Sequence, residues 1–350
     1  MKSKLINIVS GKGGTGKTLF SAVLADALGT NGAKVLVVDM DVFVCGLSTL
    51  FYYENSEAMR LVPDGMASVS VCHYFLNRNK DAKVSDKPVK PAVLQYPERA
   101  FHIIPALDRI DQPFHSKDLL PDDYEDAKHL IRMLFRDLPQ DDFDYILFDN
   151  RAGYDQLVAA THAACDLSIC VEEDDNISLL TSTRLISLLG RESRTPIYRI
   201  RNKVRPTSND IALKMGVDFL GSIAFEHDIF NSFGTTQFWS KLRRSTYRPC
   251  LCEIWNMLAK KEQFKHTFNL HGTPKNNHQN SVRSLIMFYC GLSLLFLCVS
   301  VILYGFLMEI PSNNLLTVLL SLCSALGISM VFASRLEISI TPKKQKKKRD

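Results

Sequence analysis

Nine residues near the start of the chain, "SGKGGTGKT" (Ser10 to Thr18), contain four glycines and two lysines. Such a composition makes a poor helix and a poor strand. It suits a backbone that bends tightly enough for successive N–H groups to ring an anion. Gly11, Gly13, Gly14 and Gly16, with Thr15 between them, would form that ring. Lys17 is spaced to reach the β- and γ-phosphates of a nucleotide, and the Thr18 hydroxyl to hold Mg²⁺. Acidic residues recur downstream: Asp39 and Asp41 in "VVDMD", and Asp149 in "YILFDNRAG". Phosphoanhydride hydrolysis needs metal ligands and a group that positions water. Asp149, at the end of an apolar run, stands where a carboxylate reaches Mg²⁺ through water. Gly153, just beyond it, suits a hinge that responds to a γ-phosphate.

The elements that must position these residues are legible around them. "LINIV" (Leu5 to Val9) reads as a buried strand. "LFSAVLADALGTNG" puts Leu19, Val23, Leu24 and Leu28 on one helical face and meets a stop signal at Gly29. Strand, glycine loop and helix is the order a G-x-x-x-x-G-K-[ST] P-loop requires. Further strands are predicted at "KVLVVD", "FHIIP", "DYILFD", "LSICV", "IYRIR" and "FLGSIAF", with helical patterns such as "YEDAKHLIRMLFRDL" between them. The alternation predicts an α/β fold with a mostly parallel, doubly wound sheet of the P-loop NTPase type. Residues 77–97 are polar, lysine-rich and punctuated by proline, which predicts an exposed connection. After about Gly234 the alternation fades into one or two amphipathic helices with basic faces. The expected division is 1–248 for the nucleotide-binding domain and 249–282 for a basic helical segment and linker.

Two uncharged stretches follow, from Leu285 to Met308 and from Leu315 to Ser334. Each has the roughly 20 apolar residues that a membrane-spanning helix needs. The break between them, "EIPSNN", is short enough only for a hairpin. Arg283 precedes the pair, while Arg335 and the tail "KKQKKKR" follow it. The expectation is a transmembrane hairpin at 283–335 in contact with membrane lipid, and a basic cytoplasmic tail at 336–350. The positive-inside rule then places a multi-pass protein in the inner membrane, with the nucleotide-binding domain and both termini in the cytoplasm. The net charge of the 350 residues is only +5. Nine cysteines without regular spacing argue against a disulfide framework and fit a reducing compartment. The C-x-C at Cys250 and Cys252 lacks the spacing of a zinc site. The N-terminal apolar run, about five residues long, is too short for a signal peptide.

Lys12 has no task in an ordinary P-loop. "KGGTGKT" resembles the deviant Walker A motif of the ParA/MinD ATPases. The resemblance implies that Lys12 reaches the nucleotide of a partner subunit, so that two copies sandwich ATP in a homodimer. It also matches Asp39 and Asp41, with Gly46, Leu47 and Ser48, to the family's second acidic motif. By that match Asp41 orients or activates the attacking water and Asp39 supports Mg²⁺ or the switch. Asn202 in "IRNKV" matches an asparagine that reads the adenine edge, and Phe225 and Glu226 in "AFEHD" resemble the segment closing the base pocket. Arg151 departs from the common pattern and looks closer to a "D-S-R-T-G" subset. It has two readings, a sensor of the γ-phosphate or partner subunit and a surface salt bridge. The resemblance covers residues 1 to about 240.

These features point to an ATP- and Mg²⁺-dependent ATPase switch that dimerises and recruits a protein partner. A tyrosine autokinase-like protein is the alternative, although the tyrosine cluster expected at its end is missing. An ATP-binding scaffold without turnover is a third reading. DNA binding through "KLRR" (Lys241 to Arg244) and the tail is open but not favoured.

Overall fold

The computed structural model describes residues 2–54, 61–62, 68–78, 90–109, 121–205 and 218–269. The strands are β1 (Lys4–Ser10), β2 (Val35–Asp39), β3 (Ser68–Val69), β4 (Lys90–Pro91), β5 (Leu94–Gln95), β6 (His102–Ile104), β7 (Tyr145–Ala152), β8 (Leu167–Glu173), β9 (Ile197–Val204) and β10 (Asp218–Ala224). Eight of them form one sheet in the order β10-β9-β8-β1-β7-β2-β6-β5. Its pairings are parallel, except that the edge strand β5 runs antiparallel to β6. The short strands β3 and β4 pair apart from it.

The inner strands are apolar on both faces because helices cover both faces. In β2, Val35 and Val37 face one core while Leu36 and Val38 face the other. In β7, Tyr145 and Leu147 oppose Ile146 and Phe148 in the same way. The first core is closed by α1 (Lys17–Thr30), α2 (Gly46–Glu54), α7 (His227–Ser232), α8 (Phe238–Leu242) and α9 (Tyr247–Glu262). The second is closed by α3 (Val71–Arg78), α4 (Tyr124–Asp137) and α5 (Gln156–Ala164). A smaller cluster joins Val9, Val158 and Cys170 to Leu185 and Leu189 of α6 (Asn176–Glu192). Asp123, Asp155 and Asp175 cap α4, α5 and α6, each accepting a backbone N–H three residues on.

Three findings differ from the sequence reading. Tyr96, in the stretch predicted as an exposed connection, is fully buried against Phe51, Phe101 and Trp239, because an aromatic ring gains more in the core than in water. The compact unit runs to His271, past the edge expected near Arg248. It does so because α9 buries Leu251, Trp255 and Leu258 in the first core. The inner-membrane, multi-pass placement is corrected. Among the described residues no helix is long and apolar enough to cross a membrane. The longest described, α6, has 17 residues and carries Arg184, Arg191 and Glu192. At 1.5 Å per residue it spans about 25 Å, short of a hydrocarbon core of about 30 Å. The apolar runs of 285–334, the linker from 270 and the basic tail lie outside the described residues.

Candidate functional site

The glycine loop leaves β1 at Ser10 and enters α1 at Lys17, at the C-terminal end of the central strand. Gly14 and Gly16 have φ of 81° and 88°, the left-handed region in which a side chain is strained. Gly11 has no room for one: a Cβ there would lie 2.3 Å from the backbone of Thr181 and Ser182 in α6. The loop borders a cleft of about 430 Å³. Lys17, Thr18, Asp41, Phe43, Arg151, Lys203 and Phe230 line it together with Gly13, Gly14 and Gly16.

The acidic residues meet beside the loop because their strands are neighbours. Asp39 of β2 stands opposite Asp149 of β7 in the parallel ladder. Asp39 is fully buried and accepts the Ser48 N–H at 2.8 Å and the Ser48 hydroxyl at 2.6 Å. Burial, and the nearby Asp149 carboxylate, push its pKa up to about 7. Asp149 is also raised, mainly by burial, against the pull of Lys17 and of the nearby Thr18 and Ser21 hydroxyls. Its Oδ1 accepts from Ser21 at 2.9 Å, while Oδ2 is buried with no hydrogen-bond partner among the described residues. Two adjacent buried carboxylates, one with an oxygen free of hydrogen bonds among the described residues, fit the chemistry of a cation site. No cluster of three or more His, Cys, Asp or Glu able to hold a metal occurs among the described residues. Mg²⁺ takes only one or two protein ligands and completes its shell with phosphate and water. Asp41 sits at the cleft rim, where its Oδ1 accepts the Val44 N–H at 3.1 Å.

Lys12 is held by carboxylates of its own chain and is not among the residues lining the cleft. Its ammonium is 2.8 Å from Glu173 Oε2 and 2.8 Å from Asp175 Oδ2, and the bond to Asp175 is the main reason its pKa is raised. Burial would lift the Glu173 carboxyl, but Lys12 and Lys203 hold it below its usual value. Arg151 makes the surface salt bridge, with Nη1 3.1 Å from Asp155 Oδ2, and its guanidinium lies 4.6 Å from the Phe43 ring centroid of the same chain. Gly153, at φ 85°, donates to the Ser10 carbonyl at 2.8 Å, so the end of β7 is tied to the start of the loop.

Asn202 is buried behind the loop rather than open to the cleft. Its Nδ2 donates to the Thr15 carbonyl at 2.9 Å and its Oδ1 accepts the Lys203 N–H at 3.0 Å. Phe225 stacks on Phe230, with centroids 5.1 Å apart, and so borders the cleft at second hand. Glu226 turns to Thr246 Oγ1, 2.6 Å away. Sequence reasoning did not select Lys203, Phe230, Glu173 or Asp175. The acidic run "EEDD" after an apolar strand was the visible signal for the last two.

Residues 6–236 match the CobQ/CobB/MinD/ParA nucleotide-binding domain. The chain belongs to that family. An uncharacterized ATP-binding protein of Methanocaldococcus jannaschii is 29% identical over 181 residues, covering 52% of this chain and 57% of the relative. The chain therefore spans little more than half the length of that archaeal protein. The septum site-determining protein MinD of Bacillus subtilis is 26% identical over 237 residues, covering 65% of this chain and 78% of its own. Among solved structures, MinD of Pyrococcus horikoshii complexed with Mg-ADP superposes with a TM-score of 0.55 at 23% identity, covering 76% of this chain and 100% of that one. A chain of the MinC:MinD cell division protein complex of Aquifex aeolicus gives a TM-score of 0.53 at 18% identity, covering 76% of this chain and 98% of that one. At such identities the superpositions establish the shared α/β P-loop fold, and the family match supports nucleotide binding by the MinD/ParA-type domain.

Proposed function

We propose that this MinD/ParA-type chain binds and hydrolyses ATP and acts as a nucleotide-dependent switch that pairs with a second copy and recruits a protein partner. The observation that carries the reading is the convergence of Lys17, Thr18 and Asp41 on one cleft, beside a buried Asp149 whose Oδ2 has no hydrogen-bond partner among the described residues. Lys17 faces the β- and γ-phosphates, and the loop amides of Gly13 to Lys17 ring them. Thr18 and Asp149 would hold Mg²⁺, which neutralises charge on the phosphates. Asp41, at the rim, orients the attacking water. The site excludes bulk water poorly in one chain, since Phe43 and Val44 beside it are 40% and 73% exposed. Ile177 and Leu180, in the first turns of the helix whose cap holds Lys12, are 69% and 71% exposed. A second copy laid over this rim would cover both pairs and bring its own Lys12 to the nucleotide.

Phosphate release by the purified full chain, with ATP and Mg²⁺, tests the reading. Turnover lost in Lys17→Ala supports it. Tight ATP binding without turnover at any protein concentration would leave the scaffold reading in its place.

A further inference from the structure

The end of β9 carries two consecutive donors aimed at the same stretch of the glycine loop. Asn202 Nδ2 donates to the Thr15 carbonyl at 2.9 Å, and Lys203 Nζ donates to the Gly14 carbonyl. Consecutive residues of a strand normally point to opposite faces. Here they converge because β9 is irregular at this point. Its ladder with β10 pairs Arg201 with Ser222 and Val204 with Ala224, so β9 has one residue more than β10 between the two pairs. Lys203 has φ 58°, the left-handed conformation that a side-chain-bearing residue rarely adopts. Bulges of this kind commonly re-aim a side chain beside a functional site.

The consequence lies in the loop's peptide planes. In a trans peptide the C=O and the following N–H point in opposite directions. A donor holding Gly14 O turns the Thr15 N–H to the opposite side, and a donor holding Thr15 O does the same for the Gly16 N–H. Neither amide has a hydrogen-bond partner among the described residues. Glu173 Oε1, 2.7 Å from Lys203 Nζ, fixes the ammonium in place. Gly16 belongs to the same arrangement, since a Cβ there would lie 2.5 Å from Asn202 Nδ2.

We propose that Asn202 and Lys203 are positioning residues, a two-donor clamp that turns the Thr15 and Gly16 amides toward the nucleotide's phosphates before ligand arrives. The inference rests on the nucleotide-binding reading and adds to it. Asn202 acts on the loop that binds phosphate, and Lys203 on phosphate affinity rather than on the base.

The test compares ADP and inorganic pyrophosphate binding by calorimetry, with melting curves, for the full chain as wild type, Lys203→Met, Lys203→Arg and Lys17→Ala. Loss of a charged hydrogen bond predicts that K203M weakens both ligands about tenfold or more. K203R, which can still donate to Gly14 O, should recover most of that affinity, and the K203M melting curve should stay with the wild type. A loss for ADP but not for pyrophosphate overturns the clamp and assigns Lys203 to the base or ribose. Wild-type affinity in K203M, or a loss that K203R does not recover, also overturns it. If K203M does not fold, Lys203→Gln is read by the same criteria. A wild type that binds ADP no better than K17A fails the nucleotide reading itself, and the clamp with it.

Discussion

Lys12 and Asp41 differ in what surrounds them, and the difference sets what their removal should do. Lys12 is shared between Glu173 and Asp175 of its own chain and is not among the residues lining the cleft. Lys12→Ala should leave ADP and ATP affinity close to wild type while reducing the ATP-dependent dimer, as light scattering after gel filtration would read. Equal loss of nucleotide in K12A and K17A would remove the partner-subunit role. Asp41 spends one carboxylate oxygen on the turn at Val44 and borders the cleft. Asp41→Ala should slow turnover about 100-fold or more with ATP still bound, the range for removing a proton-handling group. ATP affinity falling in step with turnover would point to a structural task for Asp41 instead.

A polar chain crosses the sheet from the phosphate side to helix α5. Asn150 donates to Asn7, Asn7 donates to Ser168 at 3.1 Å, and Ser168 meets His162 Nδ1 at 2.8 Å. These residues are all buried, and they link β7, β1 and β8 to the helix that follows Gly153. Burial lowers the His162 pKa from 6.5 to about 4. A histidine depressed on folding favours the folded state above its unfolded pKa, and that contribution is lost as pH falls toward the folded pKa. Unfolding free energy should therefore drop between pH 6.5 and about 4, by up to about 3 kcal/mol from this residue at 1.4 kcal/mol per unit. Chemical denaturation across that window should show the drop in wild type and a flatter profile in His162→Asn. Parallel profiles would mean that His162 titrates normally.

At the scale of the molecule, α9 decides where the compact unit ends. Trp255 is 2% exposed, packs against Tyr145 and Phe264, and donates Nε1–H to the His266 carbonyl at 2.9 Å. Arg248, 3.3 Å from the buried Asp26 of α1, adds an ion pair at the start of the same helix. A chain ending at Arg248 should fail to give a cooperative melt, whereas one ending at His271 should melt like the full chain. Trp255→Ala should cost about 3–5 kcal/mol, as large core truncations do. Cooperative unfolding of the shorter chain would show that α9 is an accessory.

The glycine spacing, the lysine at its end and the carboxylates closing apolar runs determined the phosphate loop and the parallel sheet. These are local signals: backbone freedom, period and strand-end chemistry need no knowledge of distant residues. The apolar face of α1 and the order of strands and helices followed from the same patterns. Tertiary structure alone decided that Asp39 and Asp149 share a buried register and that Lys12 rests on Glu173 and Asp175. It also decided that Asn202 and Lys203 face one loop, because a one-residue bulge in β9 reverses the alternation a sequence reader assumes. The basic look of the segment after residue 240 concealed the buried stripe of Leu251, Trp255 and Leu258, since its charges are read before its packing partners exist.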